Sequence, residues 1–544
     1  MKTLISTLIL MLGTCSHIMA CTVIAIGKKA SADGSVIVSH TDAGPDCRIN
    51  LVPGQQFKAG EKAPVHWGMI ETGRPLGDYG EVIGHIPQVE KTYSYFQTAY
   101  PQINSKQLAI GESTLSQRPE LMVDRSVCEQ IMTIEQAQAF ALQRCTKAQD
   151  ALKLITSLLE TYGFLPSCID ESESLVIADT DEIWVLEVFS VGNAWKKDSG
   201  KPGCIWAAQR VPDDHVMIIP NWSIIKQIDI EDEDNFRASS NYKQEAIDRG
   251  WYKPESGKPF IWQEAYSPIP REWSTSRFWL FYATFAPEYT KWPDRFTSSV
   301  WEGENQYTQY IEPLSIYPFS VKPQRKLSVQ DVMAFQRSTF KGTIYDKENA
   351  PAWYYPDEKG QLTKSAFATP FPTKEMRRVM NINSRRNVAR ARGEYGMVAQ
   401  LRSWLPDEIG GVYWFYVDNA YTSAYVPIYT GVTDVAECYK VYNPEYYQDN
   451  SIRWAVDFVD NLMYLRWQDA HKKVIEKRDP MEARFFAEQK SVDEKAQALM
   501  NKSPKKAKAY LTQLTIDRMN EVHELFKELK LDLISEFTNN KQGI

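Results

Sequence analysis

Residues 21–44 read CTVIAIGKKASADGSVIVSHTDAG. Two runs rich in β-branched residues, Thr22 to Ile26 and Ser35 to Ser39, flank Asp33-Gly34, a pair that favours a tight reversal. The spacing predicts a β-hairpin that enters a sheet at its edge and carries Cys21 as its first residue. Upstream, Lys2 supplies a charged start, Thr3 to Leu12 an apolar stretch, and Ile18-Met19-Ala20 a cleavage site ending on a small residue. The apolar stretch is shorter than the ~20 residues a spanning helix needs. Residues 1–20 therefore read as a signal peptide cut after Ala20. No later segment has the pattern of a transmembrane span, so the expected protein is exported and either soluble or held at a membrane by a lipid.

A cut there gives Cys21 both a thiol and a free α-amine. That amine ordinarily titrates near ~7.7–8.0 and can take the thiol proton, directly or through a water, so nucleophile and base sit on one residue. Two other readings stay open from the residues alone. Cys21 is an ordinary buried cysteine if the cut lies elsewhere. It is a lipid attachment point if Ile18 to Cys21 acts as a lipobox, and a lipid on sulfur would remove the nucleophile.

The composition fits a globular protein. Of 544 residues, 43% are hydrophobic and 24% charged, ample for a core. The formal charge of −7 argues against a nucleic-acid partner. Of eight cysteines, Cys15 falls in the leader. Cys47, Cys128, Cys145, Cys168, Cys204 and Cys438 can form up to three disulfides in an oxidising compartment or stay as buried thiols. No CxxC spacing, HExxH, P-loop, GxSxG or dinucleotide fingerprint occurs in a supporting context, so no metal and no cofactor is expected.

Further along, Ser174 to Ala178, Ile183 to Phe189, Gly203 to Ala208 and Val216 to Ile219 are short strand-like runs. Thr133 to Tyr162 instead carries helical spacing, with Ile134, Ala137, Phe140 or Ala141, Ala148, Leu152, Ile155 and Leu159 on one face. Thr133 and Gln136 suggest a capping box. Gly410 to Thr430 returns to strand alternation. Beyond Ser451, Val456, Val459, Met463 and Trp467 form an apolar helical stripe, and Ser491 with Glu494 predicts the start of a later helix. Asp229 to Asp234 reads as a solvated acidic loop, since the glycine and spacing of a calcium loop are missing. The aromatic-dense stretch from Trp251 to Tyr355 reads as packing around a cleft rather than a glycan platform. Six arginines lie between Lys374 and Arg392, read as ion pairs or a rim that attracts anionic substrate ends.

The 21–44 stretch, with its initial Cys-Thr, GKKASADGS and Asp42, resembles the opening of peptidase family C69. These are cysteine dipeptidases, N-terminal nucleophile hydrolases related to penicillin V acylase and bile salt hydrolase. SLVIADTDEIWVLEVF at 174–189, WAAQRVPDDHVMIIPNWSIIKQID at 206–229 and REWSTSRFW at 271–279 are similar to the same family in the same order. The resemblance implies an α+β fold, the αββα sandwich of these hydrolases, with aromatic-rich insertions and a C-terminal helical region. It implies a signal peptide at 1–20, a hydrolase domain at 21–450 and a helical extension at 451–544 packed on the body. Such arms also pack on a second copy of the chain, which leaves a homo-oligomer open.

Site residues follow from the resemblance position by position. Cys21 is the nucleophile and Asp42 orients the thiol or the ammonium. Asn221 serves the oxyanion, and the charge of Arg277 is expected to lower the thiol pKa. Relatives commonly carry arginine where this chain has His40, which keeps a donor but not a permanent forked charge, so His40 is a site-lining candidate. Glu112 is a substrate-binding candidate for the free ammonium of a dipeptide. The expected activity is hydrolysis of dipeptides through a thioester on Cys21. The alternatives are an amidase of the same fold acting on N-acyl amino acids or conjugated bile acids, and a non-enzymatic surface lipoprotein.

Overall fold

A computed structural model describes residues 21–42, 44, 46–167, 171–268, 272–288, 317–343, 345–383 and 386–538. The predicted leader, Cys168 and Arg385 lie outside the described residues.

The quoted stretch forms the expected hairpin. β1 (Val23–Ile26) and β2 (Val36–Asp42) pair antiparallel, with Ala25 opposite Val38. Asp33 Oδ1 holds the turn by accepting from the Ser31 hydroxyl at 2.7 Å and the Ser35 amide at 3.0 Å, while Gly34 takes φ 86°, free for a residue without Cβ.

The later strands, in chain order, are β3 (Asn50–Val52), β4 (Lys62–Trp67), β5 (Glu81–Pro87), β6 (Tyr95–Gln97), β7 (Pro101–Asn104), β8 (Ala109–Ser116) and β9 (Glu171–Ala178). They continue with β10 (Ile183–Phe189), β11 (Ile205–Val211), β12 (Val216–Ile219), β13 (Phe236–Ala238), β14 (Tyr354–Pro356), β15 (Leu362–Lys364), β16 (Tyr395–Leu401), β17 (Gly411–Val417) and β18 (Val426–Tyr429). Among the described residues, one sheet runs β12-β1-β2-β16-β17-β18 and a second runs β13-β11-β10-β9-β8-β7-β6-β3. β4 with β5 and β14 with β15 are separate ribbons. The first hairpin is therefore inside its sheet and not at an edge: β12 covers β1, Val23 opposite Ile219, and β16 covers β2. The continuous apolar run VIAI, buried at every position, is the pattern of a strand covered on both faces.

The helical run predicted at 133–162 is two helices, α1 (Ile134–Arg144) and α2 (Ala148–Tyr162). Long-range contacts make the break. Asn104 Nδ2 donates to the carbonyls of Leu142 and Cys145 at 2.8 and 2.9 Å, and Asp179 accepts the Ala148 amide at 3.0 Å. Thr133 caps α1, but the capping box is half made, because Gln136 Oε1 accepts from the His66 amide at 2.9 Å. Downstream come α3 (Glu272–Phe285), α4 (Val329–Gln336), α5 (Ile452–Met463), α6 (Trp467–Met500) and α7 (Pro504–Phe537). Ser491 lies inside α6, its hydroxyl bonded to the Glu488 carbonyl at 2.8 Å, and starts no helix. The next helix begins at Pro504, where a missing N–H costs nothing.

The architecture is α+β. α1 and α2 lie on the eight-stranded sheet through β7, β9 and β10. β2 packs on β8 and β9, α4 covers β2 and β16, and α5 to α7 cover β17 and β18. The sheets approach closely at Gly111 of β8, where an added Cβ would stand 2.8 Å from the Ser39 carbonyl oxygen of β2. Buried ion pairs tie the C-terminal helices down: Arg337 Nη1 reaches Glu482 at 2.9 Å and Arg453 reaches Asp418 at 3.1 Å. Aromatic stacking, Phe278 on Tyr317 at 5.1 Å and Tyr282 on Tyr317 at 5.2 Å, fills the described part of the 251–355 stretch. Cys21, Cys47, Cys128, Cys145, Cys204 and Cys438 are free thiols. Among the described residues no helix is long and apolar enough to cross a membrane.

Candidate active site

The site is built where β1 begins. Thr22 bridges Thr41, each amide donating to the other's carbonyl at 3.3 and 3.1 Å, and this register sets Cys21 beside Asp42. Cys21 Sγ donates to Asp42 Oδ1 at 3.4 Å, and the same oxygen accepts the Gly44 amide at 2.7 Å. Both side chains are buried.

Two residues back along β2 stands His40, its ring edge-on to Tyr100 and Tyr395, each 5.7 Å between centroids. Tyr413 donates its hydroxyl to Gln102 Oε1, which turns the Gln102 amide group toward His40 Nδ1 at 3.2 Å. That network assigns Nδ1 as acceptor and leaves the proton on Nε2. His40 Nε2 faces Glu112 Oε2 at 3.4 Å. Glu112 comes from β8 and accepts the Thr114 hydroxyl at 3.2 Å.

The far side of Cys21 is held by Arg277 of α3. Its Nη1 donates to the Cys21 carbonyl at 2.7 Å and to Thr22 Oγ1 at 2.5 Å. Its Nη2 donates to the Pro220 carbonyl at 2.9 Å and to Asn221 Oδ1 at 2.7 Å. Asn221 leaves β12 at φ 65°, a strained conformation over-determined by its contacts: its amide donates to Ser113 Oγ at 3.1 Å and its Nδ2 to the Thr114 carbonyl at 3.0 Å. The structure thus gathers Cys21, His40, Asp42, Glu112, Asn221 and Arg277 into one buried constellation at the junction of the two sheets.

Comparison with known proteins identifies the family. The profile of peptidase family C69 matches residues 20–479. The chain belongs to family C69. Among its relatives is a probable dipeptidase B of Streptococcus pyogenes serotype M1, 23% identical over 534 residues, covering 96% of this chain and 95% of the relative. A probable dipeptidase B of Lactococcus lactis subsp. lactis is 24% identical over 441 residues, 78% of each chain. Dipeptidase A of Lactobacillus helveticus is 23% identical over 448 residues, 77% of each.

In this C69 chain the thiol is not acidified. Burial pushes Cys21 well above the ordinary thiol value, and the carboxylates of Glu112 and Asp42 push it further. Arg277 donates to carbonyl, hydroxyl and amide oxygens around Cys21. Burial also raises Asp42, against the pull of His40 and the Gly44 amide. For Glu112, burial is outweighed by the neighbouring His40 and Glu173, which hold its carboxyl below the usual value.

Two residues of the C69 site were not singled out from sequence. Glu173 of β9 is buried, and burial followed by the charge of Glu112 pushes its carboxyl well above the usual value. The alternation Glu171-Ser172-Glu173-Ser174 on a wholly buried strand was the available signal. Arg390, one of the six arginines, is lowered by burial and feels the charges of Cys21 and Asp42; its Nη1 is shielded from solvent and has no hydrogen-bond partner. Nothing in the 374–392 run separates Arg390 from its neighbours. Sulfur, imidazole and carboxylate ligand atoms of Cys21, His40 and Glu112 all lie within 4.8 Å of one another.

Proposed function

We propose that this family C69 protein is an exported cysteine dipeptidase that works through a thioester on Cys21, exposed by removal of residues 1–20. The observation that carries the reading is the Cys21 thiol at 3.4 Å from Asp42 at the head of β1, with Arg277 clamped on the Cys21 carbonyl. The family profile opening at residue 20 and the dipeptidase names of the relatives support it. The two facing sheets with helices on either side support the αββα sandwich of N-terminal nucleophile hydrolases, spanning 21–450 with 451–544 as its helical extension.

The raised thiol pKa fits this chemistry, because a protonated thiol needs a base beside it and the α-amine of the same residue is that base. The amine takes the Sγ proton as sulfur attacks the scissile carbonyl carbon. The oxyanion so formed is met by the second N–H of Asn221 Nδ2, the first being bonded to Thr114. Collapse breaks the C–N bond, and the ammonium returns its proton to the departing amine. Water then opens the thioester and frees the first residue of the substrate. Asp42 holds the thiol and then the ammonium in place. Glu112, ionised beside His40, receives the substrate's own ammonium, and Arg390 receives its carboxylate. A dipeptide spans only ~7 Å, so both charged ends stay near the nucleophile.

Hydrolysis of free dipeptides against their N-acetyl forms tests the reading. Acetylation removes the ammonium and is expected to lower kcat/KM by about 10²-fold, the worth of a charge-assisted hydrogen bond. Equal rates would make the protein an amidase of the same fold. Intact mass of the secreted protein checks the terminus: an unmodified Cys21 is expected, and a diacylglyceryl adduct would make it a lipoprotein.

A further inference from the structure

We infer that Cys21, His40 and Glu112 form an inhibitory binding site for a thiophilic divalent cation of the zinc type, which blocks the nucleophile reversibly. The donor set is a thiol just before β1, an imidazole on β2 and a carboxylate on β8, all buried and all within 4.8 Å of one another. This is the ligand chemistry of zinc and cobalt, not of calcium or magnesium.

The separations fit. Two light-atom ligands each ~2.1 Å from a tetrahedral ion stand ~3.4 Å apart. His40 Nε2 and Glu112 Oε2 are 3.4 Å apart, and neither atom has a hydrogen-bond partner of good geometry. The pair is spaced for an ion between its members more than for a direct bond. The outer shell is present as well. Gln102, anchored by Tyr413, contacts the other ring nitrogen, and on metal binding at Nε2 the ring proton moves to Nδ1 while the Gln102 amide turns to accept it. Thr114 orients the Glu112 carboxylate.

An arginine at position 40 would offer no lone pair. The histidine of this chain is what converts the cluster into a ligand set. Binding exchanges the thiol proton for the metal: the S–H bond breaks, a sulfur–metal bond forms, and the proton leaves to solvent without any redox change. In the trimmed chain the α-amine of Cys21 closes a five-membered chelate with its own sulfur, supplying a fourth ligand. Nucleophile and base are then occupied together. The inhibitory consequence rests on Cys21 being the nucleophile, as proposed above; the binding itself does not.

Cobalt chloride added to the metal-free mature protein tests the site. Wild type is expected to show a thiolate-to-cobalt charge-transfer band and four-coordinate visible bands at about one ion per chain, both erased by zinc chloride. Zinc chloride is expected to stop dipeptide hydrolysis, and a chelator to restore it. In His40→Arg and in Glu112→Gln the bands should vanish. The zinc concentration for half-inhibition of each variant's own residual rate should rise by well over ~10-fold, the loss that removing even an outer-shell partner causes. No charge-transfer band in wild type would overturn the inference, as would bands that persist unchanged in both variants. Bands without any hydrolytic activity would leave the metal site standing and remove the dipeptidase reading instead.

Discussion

Arg277 and Asn221 are joined by a 2.7 Å hydrogen bond from Nη2 to Oδ1, and the same guanidinium donates from Nη1 to the carbonyl of Cys21 at 2.7 Å. One rigid fork thus fixes the distance between the proposed nucleophile and the proposed oxyanion donor. A lysine ammonium keeps the charge but cannot span four oxygens on two chain segments. Arg277→Lys is expected to lower kcat by about 10²-fold with little change in KM, the cost of a misplaced reacting group. Urea unfolding should show a loss of about 3 kcal/mol, typical of breaking a buried charged network.

Cys21→Ala should abolish turnover, as should blocking signal cleavage so that the Cys21 nitrogen remains an amide. Rates below about 10⁻³ of wild type are expected in both, because removing the nucleophile or its base leaves only binding and oxyanion contacts. Full activity in the uncut protein would show that another group acts as base.

Arg390 has a solvent-shielded Nη1 without a partner and senses Cys21 and Asp42. Arg390→Met is expected to raise KM for dipeptides by about 10–10²-fold, the value of one or two charge-assisted hydrogen bonds. Dipeptide amides, which lack the carboxylate, should lose far less. Steady-state kinetics on the paired substrates separates lost recognition from lost structure, which would affect both alike.

Lys226 donates to the Tyr317 carbonyl, and burial brings its pKa down to about 8. A depressed pKa means that the folded state holds the lysine neutral where the unfolded chain still binds a proton. Its contribution is present above ~10.4 and lost as pH falls through about 8. Wild type should therefore gain stability relative to Lys226→Met between those limits, by up to about 1.4 kcal/mol per pH unit. Urea midpoints of the two proteins across that range measure the difference directly.

Gly111→Ala places a methyl 2.8 Å from the Ser39 carbonyl oxygen, where β8 crosses β2. Backbone cannot yield there as a side chain would. A loss of about 1–3 kcal/mol is expected, the usual cost of overpacking, read from thermal or urea unfolding.

The local signals in the sequence were good guides to local structure. Asp33-Gly34 between β-branched runs marked the first hairpin, and the 133–162 periodicity marked helix. What the sequence did not carry was imposed from afar. Asn104 and Asp179, distant in the chain, end α1 and begin α2, and His66 takes the Gln136 side chain from its capping role. The interior position of the first hairpin depends on β12 beside β1 and β16 beside β2, two pairings of large separation. The same holds at the site. Cys21, His40 and Asp42 lie on one hairpin and were readable together. Glu173 reaches them through strand pairing with β8, and Arg390 through the chain segment that leads into β16, neither of which has a local signature.

The tether on Cys21 bears on the leader removal proposed above. Its carbonyl is already gripped by Arg277 and its successor Thr22 is laddered to Thr41, so no slack backbone follows the Ala20–Cys21 bond. A processing protease needs an extended stretch on both sides of the bond it cuts. In the processing proposed above, trimming would therefore have to come first, while the chain is still emerging, with closure of the sheet afterwards sealing the new terminus in place.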